Sequence, residues 1–565
     1  MPRPSAIVVF VILSLLSLLA AAAVDMRTTG GLKGDEATYV GMAASLGHDG
    51  DLVFTATDYQ RFRSWYSQGP EGIFLKRDAS GALHFGKAFV YGLLAAPLSR
   101  AGLTGLLVFN LLCLALTIAV GYWWLSAGGR HGPAFVASVV FAAAAITPLY
   151  AAWLTSDLMN YSLVFLAFAV GWRRPGQAGM SQARVIGAAI VLAAATFSKP
   201  LNALLAVALA LGAGPGWRDW ARSLTTFTLV VLALFGVNAI ISGDPNYQGG
   251  DRKTFYTHFP YDDDGHVFET SGISRATDTL VELPPEAPGR VGAFPKNLWY
   301  FFAGRHFGLL PFGWPWLMAV VLWAVGRRGK TWSEWALLGT VATTIVGTIL
   351  WMPYTWAGGG GPVGNRYFLS VAAALFFLLP SNISLARALT MAAGLVFVAP
   401  SLVDPFVVAK QPWLATRGAP FQLLPLELTG ASEFPILLNR ARGRMPQGRN
   451  PTVFVAFLDE GADVGRSGWI AVRMPARAEL LARSPEFTRR VTVGVKAETA
   501  CDILVSTHET TTVTLAAGER RDVVVPVAPT FSLDSFAFVV TLDTTRCSGG
   551  AEFAMQAPTR SRSES

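Results

Sequence analysis

Charged residues and cysteines are both scarce in this sequence. Only 15% of the 565 residues are charged, whereas 52% are hydrophobic, with 17 Trp and 36 Phe among them. A soluble domain could not hide that much apolar surface from water, so the composition indicates a membrane protein with several spans. The 3 cysteines are too few for a scaffold of disulfide bonds. No repeat of fixed period is visible.

The positive charge of the chain has a simple interpretation. A net charge of +8 could indicate nucleic acid, but the basic residues lie in short clusters between apolar runs rather than along one stripe. That distribution is the orientation signal of membrane loops. We therefore expect no nucleic-acid partner.

The apolar runs predict the transmembrane helices. A hydrocarbon core needs roughly 20 residues per span, and somewhat fewer in short helices inside a bundle. On this basis we expect about eleven spans, near residues 6–24, 104–126, 133–151, 157–172, 185–198, 200–213, 223–241, 311–326, 333–351, 366–381 and 385–403.

The charges of the loops predict the orientation. With the N-terminus inside, the inner loops hold one acid, Asp219, against a set of basic residues: Arg130, Arg173, Arg174, Arg184, Arg218, Arg222, Arg327, Arg328, Lys330 and Arg387. This asymmetry follows the positive-inside rule. The outer side then receives residues 25–103, residues 242–310 and everything after 404.

Three runs leave alternatives open. Residues 185–213 fit one long helix or two short helices that turn at "FSKPLN", and the charge rule favours two. The run "AFVYGLLAAPL" (88–98) is too short to span and is expected to lie along the outer surface. The first span also resembles a secretory signal with a small-residue cleavage site, and with or without cleavage it leads to an outer loop.

The C-terminal part has a different pattern. Residues 404–486 are expected to form a linker and the start of the outer region. From 487 to 558, short β-branched runs separated by Gly, Pro and charged turns predict an extracytoplasmic, β-sandwich-like domain. In an oxidising compartment Cys501 and Cys547 are expected to form a disulfide, with two buried thiols as the alternative. Cys113 is expected to pack as a small hydrophobe.

Ionisable residues and one asparagine, from six separate places in the chain, are expected on the outer face. Each alone has an ordinary interpretation, as a solvated acid, a snorkelling lysine or an interfacial anchor. As a set at the ends of helices, they indicate a site for a charged substrate at the membrane surface. The set is Asp35, Glu36, His84, Lys87, Asp157, Lys199, Arg305, His306, Asn365 and Arg366.

Several motifs, taken in order, resemble a known family. They are "GDEATYVGMAASLGHDGDLVF", "LHFGKAFVYGLLAAPLSRAG", "LTSDLMNYSLVF", "FSKPLNALLAV", "NLWYFFAGRHFGLLPF" and "GPVGNRYFLSVAAALFFLLP". Together they resemble bacterial membrane glycosyltransferases of the GT-C fold, related to protein O-mannosyltransferases and lipid A aminoarabinose transferases. The resemblance covers roughly residues 6–400. It implies a polytopic α-helical module over residues 1–403, with its catalytic loop in 25–103.

The resemblance also implies an activity. Members of the family move a sugar from a polyprenyl-phosphate carrier to an acceptor hydroxyl on the outer face of the bacterial cytoplasmic (inner) membrane, with inversion at the anomeric carbon. The acceptor is an envelope lipid, a glycan or a protein. The acidic pair Asp35 and Glu36 would be catalytic, with Asp35 as general base and Glu36 in a supporting or structural role. The residues expected to bind substrate are Lys87, Asp157, Lys199, Arg305, His306, Arg366 and Tyr367.

One position departs from the family. Relatives often have a metal-ligating Glu directly before the lysine, but this chain has Gly86. A divalent metal ion is therefore doubtful, and His84 and Glu71 are weak candidates as its ligands.

The acidic turn "YDDDGH" (261–266) lacks the spacing and closing Glu of a calcium hand, so we interpret it as a solvated turn.

Two other functions stay open at this point. A lipid-sugar flippase or transporter would also be polytopic, but such proteins usually place polar groups and broken helices near the bilayer midplane, often in paired halves. A non-catalytic envelope protein whose β domain binds glycans is the other alternative. The sequence does not identify the sugar, the acceptor or the length of the carrier.

Overall fold

A computed structural model describes residues 4–28, 32, 34–174, 179–274, 283–327, 329–359, 363–435, 443–444, 454–464, 470–472, 476–533, 535–549 and 551–556. The chain divides into two compact units. The first, here called the helical unit, comprises Met1–Thr279, Leu309–Thr348 and Gly364–Lys410. The second, here called the β unit, comprises Leu280–Gly308, Ile349–Val363 and Gln411–Ser565. Arg328, which we predicted in an inner loop, lies outside the described residues.

Helices make up most of the chain before residue 411. In order they are α1 (Pro4–Ala22), α2 (Glu36–His48), α3 (Ala56–Trp65), α4 (Val90–Ser99), α5 (Gly102–Leu125), α6 (His131–Ala143), α7 (Thr147–Ala152), α8 (Ser156–Gly171), α9 (Gln182–Ser198), α10 (Leu205–Ala213), α11 (Trp217–Ser242), α12 (Arg290–Ala303), α13 (Leu309–Phe312), α14 (Trp314–Val325), α15 (Trp332–Trp351), α16 (Leu369–Ala372), α17 (Leu385–Met391), α18 (Leu395–Val403) and α19 (Pro405–Lys410).

Within the described residues, five stretches are long and apolar enough to cross a membrane. They are Ser5–Ala22, Gly102–Gly128, Trp217–Ser242, Trp332–Trp351 and Leu385–Val403. Large apolar side chains on α11 face outward, with Leu232 62% and Ile240 86% exposed. Apolar faces of this length need lipid rather than water around them. The expectation of a helical membrane protein is therefore confirmed at this level.

The other six predicted spans coincide with shorter apolar helical stretches, so the count of eleven crossings stays a prediction. Some of these spans are interrupted. The predicted span 133–151 is two helices, α6 and α7, and Pro148 lies in the first turn of α7. In the predicted span 311–326, Gly313 separates α13 from α14. A proline lacks the backbone N–H that a continuous helix needs, and glycine carries the greatest entropic penalty in one.

Two other sequence predictions hold at the level of helix boundaries, whereas the membrane crossings of residues 185–213 and the position of the run 88–98 along the outer surface stay predictions. Residues 185–213 form two helices rather than one, because α9 ends at Ser198 and α10 begins at Leu205. The apolar run 88–98 is the short helix α4, which has Pro97 inside it.

A small antiparallel sheet joins two segments that are far apart in sequence. Its strands are β1 (Ile73–Arg77), β2 (Leu83–Phe85), β3 (Asp251–Phe255) and β4 (Ile273–Ser274), in the order β2-β1-β3-β4. Ile73 and Leu75 of β1 are fully buried in one core with Tyr39 of α2 and Tyr91 of α4. The segments 25–103 and 242–274 therefore build a single structure within the helical unit.

The β unit contains the remaining strands. They are β5 (Gly443–Arg444), β6 (Phe454–Phe457), β7 (Ala462–Val464), β8 (Ile470–Val472), β9 (Arg477–Ser484), β10 (Arg490–Ala497), β11 (Cys501–Ser506), β12 (Thr510–Leu515), β13 (Arg520–Pro526), β14 (Thr530–Ser532), β15 (Ser535–Asp543) and β16 (Ala551–Gln556). Among the described residues they form two antiparallel sheets, ordered β13-β10-β16-β8-β7 and β12-β11-β15-β9-β6-β5, with β14 on β15.

A β region after the helices is thus confirmed, although its strands begin before residue 487. Strand β9 begins with Arg477 and carries Glu479 and Arg483 between its buried residues, so its apolar alternation is less visible in the sequence. Cys501, at the start of β11, and Cys547, after β15, form the predicted disulfide, with their Cα atoms 5.0 Å apart. Residues 557 and 558, the end of the predicted domain, lie outside the described residues.

Candidate functional site

Asp35 lies where two cationic side chains meet. It is the residue directly before α2, and only 9% of it is exposed. Its Oδ2 accepts a hydrogen bond from Nη2 of Arg366 at 2.5 Å and lies 3.1 Å from Nζ of Lys87. Residues from three distant parts of the sequence therefore converge on one carboxylate.

A second carboxylate shares the same arginine. Asp157, in the first turn of α8, is fully buried. Its Oδ2 accepts a hydrogen bond from Nε of Arg366 at 2.7 Å, and its Oδ1 accepts one from Nζ of Lys199 at 2.6 Å. Lys199 also donates to the backbone carbonyl of Arg366 at 2.8 Å. The guanidinium thus bridges two carboxylates, a geometry that one ammonium group cannot reproduce.

The five side chains form one chain of alternating charge, which we call the charge network: Lys87, Asp35, Arg366, Asp157 and Lys199. Three cations and two carboxylates leave a surplus of one positive charge. Four of the five residues are buried, and Lys87 is half-buried. A surplus charge in a site largely shielded from water attracts an anion more strongly than it would in water.

The network fixes the protonation of Asp35. Burial alone would raise the pKa of this carboxyl group, but the positive charges of Lys87 and Arg366 outweigh burial and hold the pKa below its ordinary value. Burial lowers the pKa of the Lys87 amine, and the charge of Asp35 opposes that shift. Asp35 is therefore an ionised carboxylate at neutral pH.

Arg252 is a residue that sequence reasoning missed. It lies on β3, opposite Lys76 of β1. Its Cζ is 4.9 Å from the ring centre of Phe74, and Nζ of Lys87 is 4.5 Å from the same ring. The sequence feature that could have indicated Arg252 is a basic residue in the segment 242–310, which we predict to be outside, where the positive-inside rule expects few basic residues.

Arg252 also accounts for the glycine before Lys87. A β-carbon on Gly86 would lie 2.8 Å from Cδ of Arg252, so a larger residue would displace the arginine. Nη1 of Arg252 donates to the carbonyl of Gly86 at 3.4 Å. Position 86 therefore offers no ligand side chain for a metal ion, and a cationic side chain packs against it.

Glu36 has different partners from its neighbour. It is fully buried, and its Oε1 accepts a hydrogen bond from the backbone N–H of Leu154 at 2.8 Å. Its Oε2 lies 2.5 Å from Nζ of Lys410, at the end of α19. This ion pair connects α2 to α19, which fits the supporting role better than direct catalysis. We did not predict a role for Lys410. The sequence feature that could have indicated one is its position as a single lysine after an apolar run.

The two weak metal candidates have separate surroundings. Nε2 of His84 is 3.0 Å from Oδ2 of Asp78, and the Glu71 side chain is exposed. Among the described residues, three possible metal ligands lie close together, namely His258, Asp262 and His266, and neither His84 nor Glu71 belongs to this group. Tyr367, the residue after Arg366, is half-buried.

Arg305 and His306 belong to the β unit, and the contacts of their side chains lie within it. Arg305 donates to Glu479 at 2.6 Å, and Nδ1 of His306 is 3.1 Å from Oγ1 of Thr416. Oε1 of Glu427 accepts hydrogen bonds from the backbone N–H groups of His306 and Phe307. A substrate-binding role for Arg305 and His306 stays a prediction.

Comparisons with known proteins add little to this geometry. No protein-family model matches the sequence, and the curated proteins gave no match. Among solved structures, the chain is similar to the single-particle cryo-EM structure of arabinosyltransferase EmbB from Mycobacterium smegmatis, with a TM-score of 0.30 and 11% identity. The similarity covers 97% of this chain and 64% of that one, so this chain spans less than two thirds of its length. No residue role or activity follows from a similarity at that level.

Proposed function

We propose that this protein is an inverting glycosyltransferase that moves a sugar from a polyprenyl-phosphate carrier to an acceptor hydroxyl on the outer face of the bacterial cytoplasmic membrane. The observation that carries the proposal is the charge network, in which an ionised carboxylate lies between two cations. The residues of the charge network lie in the motifs that resemble the GT-C glycosyltransferases. That resemblance supports this class of reaction by analogy.

The network has the groups that such a transfer requires. Asp35 accepts the proton of the acceptor hydroxyl as its oxygen bonds to the anomeric carbon from the face opposite the phosphate. The bond between that carbon and the phosphate oxygen breaks, and its electron pair leaves with the lipid phosphate. Lys87 and Arg366 stabilise the growing negative charge, where fixed cations are most effective. Attack from the opposite face inverts the configuration.

The ion pairs of Asp35 give the base a dependence on the donor. With two cations beside it, Asp35 has a low proton affinity and is a weak base. A lipid phosphate that binds Lys87 and Arg366 competes with Asp35 for their donors. The proton affinity of Asp35 therefore rises when the donor is bound, which limits catalysis to the loaded enzyme.

Sugar transfer by the purified protein in nanodiscs tests the proposal, with donor binding measured separately. Asp35→Asn keeps the shape but loses the basic lone pair, so turnover should fall by roughly 10²–10⁴-fold while the donor still binds. Asp49→Asn is the matched control, because Asp49 caps the other end of α2 and pairs with Arg61. Normal turnover in Asp35→Asn would refute the role of Asp35 as the base, whereas no sugar transfer by the wild type would refute the transferase and favour a flippase or a glycan-binding protein.

The orientation is part of the same proposal, with residues 242–310 and 404–565 outside the cytoplasm. A Cys113→Ala background removes the free thiol. A cysteine introduced at Asp263 should then react with a membrane-impermeant reagent on intact cells, and one at Arg218 should not. The reverse pattern would invert the topology and place the charge network on the cytoplasmic side.

A further inference from the structure

Two histidines, His258 and His266, lie on an exposed turn that supplies no residue to the charge network. The turn follows β3 and includes the "YDDDGH" segment, which we interpreted as a solvated turn from its acids alone. The rings of His258 and His266 lie side by side, with centroids 4.2 Å apart. Nδ1 of His266 is 2.7 Å from Oδ2 of Asp262. His258, three residues before the quoted segment, completes a cluster that the acidic residues alone did not suggest.

We propose that His258, Asp262 and His266 bind a zinc ion. One ring nitrogen from each histidine and one carboxylate oxygen all lie within 4.8 Å of one another. Ligands of tetrahedral zinc, with bonds of about 2.0–2.1 Å, are about 3.3 Å apart. Nδ1 of His266 and Oδ2 of Asp262 are closer than this, at 2.7 Å, so these two side chains would move apart around the ion. His258 is exposed, so its side chain has room to rotate toward them.

The type of ligand favours a transition metal. Two imidazoles and one carboxylate suit zinc and also other transition metals such as iron(II), whereas calcium and magnesium prefer oxygen ligands alone. Three protein ligands leave a fourth position for water or for a group of a bound molecule. The set shares no residue with the charge network.

The backbone holds Asp262 in place before a metal binds. Its Oδ2 accepts a hydrogen bond from the N–H of Phe259 at 3.2 Å, and its Oδ1 accepts one from the N–H of His266 at 3.0 Å. Tyr261 and Gly265 have φ angles of 69° and 75°, so the chain reverses tightly between the ligands. A carboxylate fixed in this way needs little ordering when the ion arrives.

The turn is also packed against α3. Nη1 of Arg63 lies 3.4 Å from Oδ2 of Asp263, and the rings of Tyr59 and Phe259 are 6.1 Å apart. Zinc would close the ends of this turn and hold the segment that leaves β3. Since β3 carries Arg252, the ion would support the position of a cation beside Lys87 without touching it.

Metal titration tests the site on the full-length protein, purified without a polyhistidine tag and stripped with a chelator. Competition with a chromophoric chelator should show one zinc ion per chain. Cobalt(II) should give the visible absorption of a site with nitrogen ligands. His258→Ala and His266→Ala should each weaken zinc binding by at least about 10-fold. His508→Ala is the matched control, because His508 is exposed beside a single acid, Glu509.

Asp262→Asn tests the carboxylate, and thermal unfolding checks that the turn survives the change. Asp262 also holds the turn together, so Asp262→Asn can be unstable for that reason alone. In that case zinc binding by His258→Ala decides whether the site exists. Zinc uptake by His258→Ala equal to that of the wild type would overturn the proposal, as would equal loss in His508→Ala. Sugar transfer is not the readout, so the zinc proposal and the proposed function fail separately.

Discussion

Replacing Arg366 tests whether the charge network holds the phosphate of the donor. Arg366→Ala removes both bridging hydrogen bonds, 2.5 Å to Asp35 and 2.7 Å to Asp157, and it cancels the surplus positive charge. Each carboxylate keeps one lysine, Lys87 or Lys199. The variant should therefore fold, with a lower melting temperature, and its main loss should be in donor binding.

The magnitude follows from the contacts that are lost. A hydrogen bond to a charged group contributes about 1.5–3 kcal/mol. One such contact to the donor phosphate, at about 2 kcal/mol, corresponds to about a 30-fold loss of affinity. Arg366→Lys keeps the charge but cannot bridge both carboxylates, so its affinity should lie between the wild type and Arg366→Ala.

The assay is equilibrium binding of a polyprenyl-phosphate sugar in nanodiscs, with thermal unfolding measured in parallel. Arg61→Ala is the matched control, because Arg61 also bridges two carboxylates, Asp49 and Asp58, at 2.8 and 2.7 Å. It should leave donor affinity unchanged. Wild-type affinity in Arg366→Ala would refute the assignment of the phosphate to the network, and an equal loss in Arg61→Ala would show that the effect is not local.

Three further predictions concern stability. Replacing Cys501 and Cys547 by serine should lower the free energy of unfolding of the β unit by about 4 kcal/mol in chemical denaturation, because the bond closes a sequence separation of 46 residues. Burial raises the pKa of Glu427 to about 7, so the folded state binds a proton that the unfolded state has lost. Relative to Glu427→Gln, the wild type should therefore lose stability as the pH rises from 5 to 8, by at most about 3 kcal/mol, and parallel pH-dependent curves would contradict this assignment. Lys410→Met leaves Glu36 buried without its cation and should lower the free energy of unfolding by about 3–5 kcal/mol, whereas adding Glu36→Gln should recover part of that loss in the same thermal or denaturant series.

The sequence predicted the parts of the fold that depend on local pattern. Apolar run length located the five long helices, and β-branched runs with turn residues located five of the twelve described strands of the β unit, β10 to β13 and β15. Interruptions such as Gly313 fell inside continuous apolar runs, where composition gives no boundary. The Cys501–Cys547 disulfide could be expected because two thiols lay in a small region predicted to be outside the membrane.

The site was predictable as a list of residues but not as a set of contacts. The motifs gave Asp35, Lys87 and Arg366, yet nothing local in the sequence shows that one guanidinium reaches two carboxylates. Arg252 stayed hidden because its strand pairs with one about 175 residues earlier, and register across such a distance is set by packing. The sequence analysis did not single out His258, because the neighbouring acids were compared with a calcium-binding loop and then interpreted as a solvated turn.

The sequence order of the charge network has a consequence for biogenesis. Asp35 with Lys87, and Asp157 with Lys199, are two electrically neutral pairs that are both complete within the first 199 residues. Arg366, which joins them, is synthesised 167 residues after Lys199. A nascent chain can therefore form both pairs, with no surplus charge between them, before Arg366 is synthesised. The surplus positive charge of the network arises only when Arg366 joins the two pairs, so under the proposed function a half-translated chain would lack the charge that binds the donor phosphate.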